Sequence, residues 1–457
     1  MSLPPLSRSL FAASLALLMT SGPIAAQTQT DLPDYVIEAF GTPPAIPSGA
    51  LSDELQSAVD RLVRISLDQN NWDVNDTADL DVILAAGDPR LGWLITDMLR
   101  FTWRPEFRSA LTTMAVELLD IELQTLKHPS EIIDHLMAWD MPTYPDYLNN
   151  KAAIFTNYLD GWDQIFVEGD IKWEQVQWGG VNIDARPFDR TDEVCNCIPA
   201  ADNPEVSSVE DATWLDDDAI VFGIEINGET RAYPRQIMEV REMVNDTLGG
   251  RDLGIPYCTL CGAAQAYFTD ELPDGVERPI LRTSGLLIRS NKVMYDLTTY
   301  SVFDTFLGKA VTGPLAEIGL ELEQATVITT DWGTWKQTHP DTTVLVERLT
   351  LGRDFDFRNG RDANGPIFPV GDVDPRLPVQ EDVIGVTTSA GTPVAFPRAA
   401  AMVVLQGGQD ITFEDVRLEI SAGGIKAVGL DGSDVGSHQA FWFAWSQFHP
   451  DTELWTQ

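Results

Sequence analysis

Positive charge is in short supply in this chain. Against 70 aspartates and glutamates stand 30 lysines and arginines, a net of −40. A surface that acidic repels nucleic acid and anionic lipid, so no nucleic-acid partner is expected. It suits a salty medium, where counter-ions screen the self-repulsion. Cysteine is scarce too, with only four: Cys195, Cys197, Cys258 and Cys261. The sequence holds no His-Glu-x-x-His, no Gly-x-Ser-x-Gly, no P-loop and no dinucleotide fingerprint. Metalloprotease, serine-hydrolase and nucleotide-dependent chemistry therefore lack their usual signatures. Beyond the first 26 residues no stretch is apolar enough to cross a bilayer, which takes about 20 apolar residues.

Those first residues do have a pattern. Arg8 precedes an apolar run from Leu10 to Met19, Gly22-Pro23 breaks it, and Ala25-Ala26 follows. A positive start, a short greasy core and small residues at its end predict a cleavable signal peptide, residues 1–26, and a periplasmic or secreted protein. In an oxidising compartment an even number of cysteines makes disulfides the default, and four cysteines allow three pairings.

The expected fold class is α+β multidomain: an N-terminal all-α domain followed by a duplicated, mostly antiparallel β-rich domain. Residues 27–50, rich in proline, read as a linker. From Leu51 the apolar positions Leu55, Val59, Leu62 and Val63 recur at helical spacing. Further helical patterns reach Leu159, giving a helical domain over 51–165 in which His128 and His135 read as surface or capping residues. A polar connector, 166–210, holds Cys195 and Cys197. Then the texture changes to strands: Ile220–Ile226, the turn Asn227-Gly228 and a return through Tyr233 form a hairpin signal. This first β-rich unit spans 211–350, a Gly, Asp and Pro-rich bridge spans 351–380, and a shortened second unit spans 381–457.

The duplication is read from an echo. Trp332-x-x-Trp335 with His339-Pro-Asp-Thr342 recurs as Trp442-x-x-Trp445 with His449-Pro-Asp-Thr452, at identical spacing. Tryptophans three apart share a helical face. His339 and His449 occupy identical turn contexts, and packing is their expected role. The second unit has no cysteine, and its expected job is to complete the sheet or core of the first.

The most distinctive local feature is Tyr257-Cys258-Thr259-Leu260-Cys261-Gly262 between two predicted strands. Such a knuckle brings two sulfurs together, and three uses compete: a redox-active pair, a soft-metal site for zinc or copper with Cys195 and Cys197 completing it, or structural staples joining the connector to the sheet. Asp354, Asp356, Asp362 and Asn364 hint at a calcium loop but lack the closing glutamate, so a polar turn is expected.

Several blocks resemble an exported prokaryotic family catalogued as domain of unknown function 3179. They include Asn227–Pro234, Val244-Asn245-Asp246, Tyr257–Gly262, Ser284–Leu287, Val293–Asp296 and both Trp/His-Pro-Asp-Thr blocks, covering roughly residues 200–457. The resemblance implies a secreted β-rich domain and no established activity. It adds Asn245, Asp246 and Ser284 to Cys258 and Cys261 as catalytic candidates. The family usually has His where Arg241 stands and Pro where Thr259 stands; arginine neither ligates a metal nor acts as an ordinary base. The expectation is an exported protein with a cysteine-centred metal or thiol-redox site. The alternative is a non-catalytic binding or scaffold protein that engages a protein partner through its helical domain, its cysteines forming structural disulfides.

Overall fold

The computed structural model describes residues 32–73, 77–124, 129–190, 195–346 and 365–456. The expected leader, His128 and the calcium-loop-like residues Asp354–Asn364 lie outside them.

Helices form where the apolar spacing predicts them. Ser52 caps Asp53–Leu67 by accepting from the Leu55 amide, Asp53 and Glu54 sit in its positive first turn, and Leu55, Val59, Leu62 and Val63 are buried. Ala78–Ala86, Leu91–Phe101, Pro105–Leu119, Ser130–Ala138 and Tyr147–Tyr158 follow. One helix stands where a linker was expected, Asp34–Phe40. It is too short to show a period and is held by tertiary contacts. Val36 is buried, Phe40 meets the His135 ring at 5.3 Å, and the Trp139 indole donates to the Gly41 carbonyl at 3.0 Å.

A buried ion pair ties the helices together. Lys151 Nζ lies 2.7 Å from Asp97, which also accepts from the Tyr147 hydroxyl at 2.6 Å. The same ammonium donates to the Val176 carbonyl at 2.8 Å, so it fastens the first strand, Val176–Trp178, to the helices. The helical residues share one continuous apolar core with that strand's sheet, through Leu286, Val293, Tyr295, Val302 and Val311.

The described residues form five sheets. Pairing is mostly antiparallel. The parallel exceptions are Thr343–Leu345 on Glu229–Pro234, Glu453–Leu454 on Pro393–Pro397, and Ala201–Asp202 on Met243–Leu248.

Two sheets share one plan. In the first, Ile328–Asp331, Ile220–Ile226, Glu229–Pro234 and Thr343–Leu345 lie in that spatial order; in the second, His438–Phe441, Asp382–Thr387, Pro393–Pro397 and Glu453–Leu454 do. Each carries a short helix, Trp332–Thr338 or Trp442–Phe448, with its second tryptophan laid on the sheet. The indole of Trp335 donates to Thr342 at 3.0 Å and that of Trp445 to Thr452 at 2.8 Å. His339 and His449 lie tilted against these rings, with centroids at 4.3 and 4.0 Å. Beneath each ring the strand carries glycine. A Cβ on Gly223 would lie 2.2 Å from Trp335, and one on Gly385 2.1 Å from Trp445. The glycine is needed for close approach, not for an unusual φ.

Candidate dithiol site

The strand Arg251–Cys258 runs into a tight turn, with the Cys261 amide donating to the Cys258 carbonyl at 3.2 Å, and leaves through Ala263–Ala264. Gly262 takes φ +60°, the left-handed conformation that lets the chain double back. The turn thereby brings Cys258 Sγ and Cys261 Sγ to 2.7 Å, both sulfurs unbonded.

Both thiols are buried, 2% and 0% exposed, among Phe306, Val370, Val383, Phe441 and Trp445. A hairpin tip closes over them. Each sulfur is 3.6 Å from the Ser290 carbonyl, and Cys261 Sγ is 3.6 Å from Asn291 Oδ1. The two loop residues of that tip, Arg289 and Ser290, have φ of 45° and 63°, the conformation of a two-residue hairpin turn usually given to Asn or Gly. External bonds hold it: Arg289 donates to Gln175 and to the Val370 carbonyl, both at 2.9 Å, and Ser290 Oγ donates to the Phe368 carbonyl at 2.9 Å.

Next to the pair lies a cation. Lys292 Nζ is 3.3 Å from Glu242 Oε2, donates to the Glu242 carbonyl, and reaches the Tyr257 carbonyl at 3.3 Å. Glu242 terminates the helix Arg235–Arg241 in a left-handed conformation, φ 49°, and also accepts from Thr259 Oγ1 at 2.9 Å. Burial lowers the Lys292 pKa, against the pull of Glu242 and the sulfurs. Burial pushes the Cys258 thiol up, but the hydrogen bond from Cys261 and the Lys292 amide and ammonium outweigh it, and the net shift is downward. Cys261 goes the other way: burial and the neighbouring Cys258 sulfur raise it well above the usual thiol range. The dithiol is thus asymmetric, with the ionisable sulfur on the side of the lysine.

The sulfurs do not line a cleft, but their turn does. A cavity of about 370 Å³ is bordered by Thr259 and Leu260 from the turn, by Glu239, Glu242 and Lys292, and by Ser284. Of the further candidates only Ser284 reaches it. Its hydroxyl, on a bulged strand, donates to the Val293 carbonyl at 2.5 Å and accepts from the Leu286 amide at 3.1 Å. Asn245 pairs with Gly254, well short of Cys258, and spends its side chain on Asp202 and on both backbone groups of Leu281. Asp246 is consumed by Arg231 at 2.7 Å and the Tyr233 hydroxyl at 2.8 Å. Arg241 is buried at the end of its helix.

Cys195 and Cys197 are bonded to each other. They therefore do not staple the connector to the sheet, as one reading of the sequence had it. Their sulfurs fall within 4.8 Å of an Asp184 oxygen, the one group of three metal-ligand residues found among the described residues, and Cys258 and Cys261 are outside it. Asp184 already binds Arg186 at 2.7 Å and the Ala200 amide at 2.8 Å. Disulfide sulfurs are poor ligands beside thiolates. Lys292, Glu242 and Ser290 were not singled out from the sequence, because a distant hairpin brings Ser290 and Lys292 to the dithiol and the end of a helix brings Glu242.

Helices and five small sheets define an α+β protein with a buried dithiol in a Cys-x-x-Cys turn among its described residues. Residues 195–415, the stretch that contains the Cys-x-x-Cys turn, match the family model described as protein of unknown function (DUF3179). No curated protein and no solved structure matches the chain. No helix among the described residues is long and apolar enough to cross a membrane.

Proposed function

We propose that this chain is an exported thiol–disulfide protein, its leader removed near Ala26, working through Cys258 and Cys261. The observation that carries the reading is a pair of free sulfurs 2.7 Å apart beside a buried lysine. Cys258, whose thiol is shifted down, is the attacking group; Cys261, shifted up, is the resolving one. The Cys258 thiolate attacks one sulfur of an incoming disulfide, forms a mixed disulfide and displaces a thiolate. Cys261 then loses its proton to that leaving thiolate, attacks Cys258 Sγ and releases the second thiol. The protein pair is oxidised, and the incoming disulfide takes both electrons. The cavity along Thr259, Leu260 and Lys292 borders the turn, and a movement of that turn is what brings the buried sulfurs to an incoming disulfide. Around this centre we read two copies of one β unit, of which the second closes the core of the first, and a helical part that offers a surface to a protein partner.

Alkylation counting tests it. In the native protein two thiols react once unfolded; after exposure to oxidised glutathione none should, and dithiothreitol should restore both. Cys261→Ser should trap glutathione on Cys258. Two thiols that survive the oxidant, with no adduct on the variant, leave the pair as inert packing. The scaffold reading would then stand, as the low exposure of both sulfurs favours.

A further inference from the structure

One buried polar side chain at the dithiol is only half used. Asn291 closes the hairpin tip over the sulfurs, where its backbone pairs with Ile288, and it is 0% exposed. Its Oδ1 lies 3.6 Å from Cys261 Sγ. Its Nδ2 is buried with no hydrogen-bond partner among the described residues. An apolar side chain would fill the same space without burying an amide, and a buried unpaired donor is destabilising. The chemistry of Cys261 supplies a reason for the amide.

The two sulfurs of the reduced pair are held differently. Cys258 receives the Lys292 amide and the Cys261 thiol as donors. Cys261 instead faces oxygen: the Ser290 carbonyl and Asn291 Oδ1, both 3.6 Å from its sulfur. Oxygen accepts from a thiol and repels a thiolate, so this setting keeps the proton on Cys261. Burial and the Glu242 carboxylate act in the same sense, and the Lys292 ammonium opposes them. The resolving step needs the reverse, a Cys261 thiolate able to attack Cys258. The Ser290 carbonyl is fixed in the backbone and cannot donate. The Asn291 amide can: a half-turn about its last side-chain bond brings Nδ2 to where Oδ1 stands, and Nδ2 carries two N–H groups. A neutral amide supplies this donor without adding a charge to the apolar surround of Phe306, Val383 and Phe441.

We propose that Asn291 is a catalytic residue of the resolving step, its amide turning from acceptor of the Cys261 thiol proton to donor toward the Cys261 thiolate; this rests on the thiol–disulfide reading above. In the mixed disulfide, Cys258 is bonded to the incoming sulfur. Cys261 passes its proton to the first displaced thiolate, and Nδ2 holds the negative sulfur as it forms. Cys261 Sγ then bonds to Cys258 Sγ, the bond from Cys258 to the incoming sulfur breaks, and the second thiolate departs with that electron pair. Two electrons pass from the protein pair to the incoming disulfide. The first attack, by Cys258, does not use Asn291.

The test separates the two attacks. The reduced mature protein is mixed with excess oxidised glutathione, quenched in acid at set times and weighed by mass spectrometry, which resolves dithiol, glutathione adduct and internal disulfide. In the parent, the adduct should close quickly to the internal disulfide. Asn291→Leu should leave adduct formation within about twofold and slow closure on the order of 10- to 100-fold, the worth of one hydrogen bond to a charged group, so that adduct accumulates. Asn291→Asp keeps the shape, removes the donor and should slow closure at least as much; it decides the matter if the leucine variant fails to fold, as judged by its thermal transition. Closure unchanged in a folded variant, or both rates changing together as a general loosening would give, overturns the proposal. A parent that forms neither adduct nor internal disulfide sinks the dithiol reading itself, and this proposal with it.

Discussion

Gly385→Ala is the sharpest probe of how the C-terminal sheet is built. The new methyl would sit 2.1 Å from Cε3 and Cζ3 of Trp445. Carbon atoms rest at about 3.5–4.0 Å, so the ring would have to retreat by roughly 1.4 Å. Retreat is blocked on two sides, by the 2.8 Å hydrogen bond from the indole to Thr452 and by the His449 ring, tilted against the indole with centroids 4.0 Å apart. Overpacking of this kind costs about 1–3 kcal/mol, and a pinned ring belongs at the upper end. At roughly 2–4 °C per kcal/mol, the thermal midpoint should fall by about 6–12 °C in scanning calorimetry. In a Trp445→Leu background the methyl has the space vacated by the indole, so Gly385→Ala should there cost less than about 1 kcal/mol. Gly223→Ala, facing Trp335 at 2.2 Å, should behave the same way. Equal cost of Gly385→Ala in both backgrounds, or a cost near zero in the parent, would refute the claim that the glycine exists to admit the indole.

Other outcomes follow from the same contacts. Lys292→Met removes the cation beside Cys258; the pH midpoint for alkylation by iodoacetamide should move up, and an unmoved midpoint would remove Lys292 from the site. Breaking the buried Asp97–Lys151 pair with Lys151→Met should cost about 3–5 kcal/mol in denaturant unfolding, whereas Lys151→Met with Asp97→Leu should come much closer to the parent; equal losses would mean the charge is not what matters. Burial lifts the Asp304 carboxyl to about 6, from 3.8. The folded state then holds a proton that the unfolded state has released, so this stability is complete below pH 3.8 and lost as pH rises through 6. Asp304→Asn should flatten that part of the stability profile, and a profile of unchanged slope would place the titration elsewhere.

Periodicity made the helices legible because each buries one stripe: Leu55, Val59, Leu62 and Val63 were enough to place Asp53–Leu67. The helix Asp34–Phe40 was not legible, since seven residues carry no period and its stability comes from His135 and Trp139, a hundred positions on. The paired tryptophans mark two sheets of like strand order, because an indole over a glycine leaves a conspicuous spacing. The dithiol was likewise visible as a motif. Its surroundings were not: Lys292, Ser290 and Glu242 lie 16 to 31 residues from the nearer cysteine, and only strand pairing brings them in. Asn245 and Asp246 looked reactive because they are polar in a patterned block, yet both are spent on holding strands together.

The amide of Phe441 donates to the Cys261 carbonyl at 2.8 Å, and its ring lies against Gly262. The family match stops at 415, whereas this clasp comes from the strand His438–Phe441. A fragment trimmed to the matched boundaries would therefore lose the wall behind its own cysteines and bare the Phe306 side of the dithiol to water. Biochemistry on such a fragment would report the thiol behaviour of an opened shell, with faster alkylation and indiscriminate oxidation, and would misjudge the intact protein.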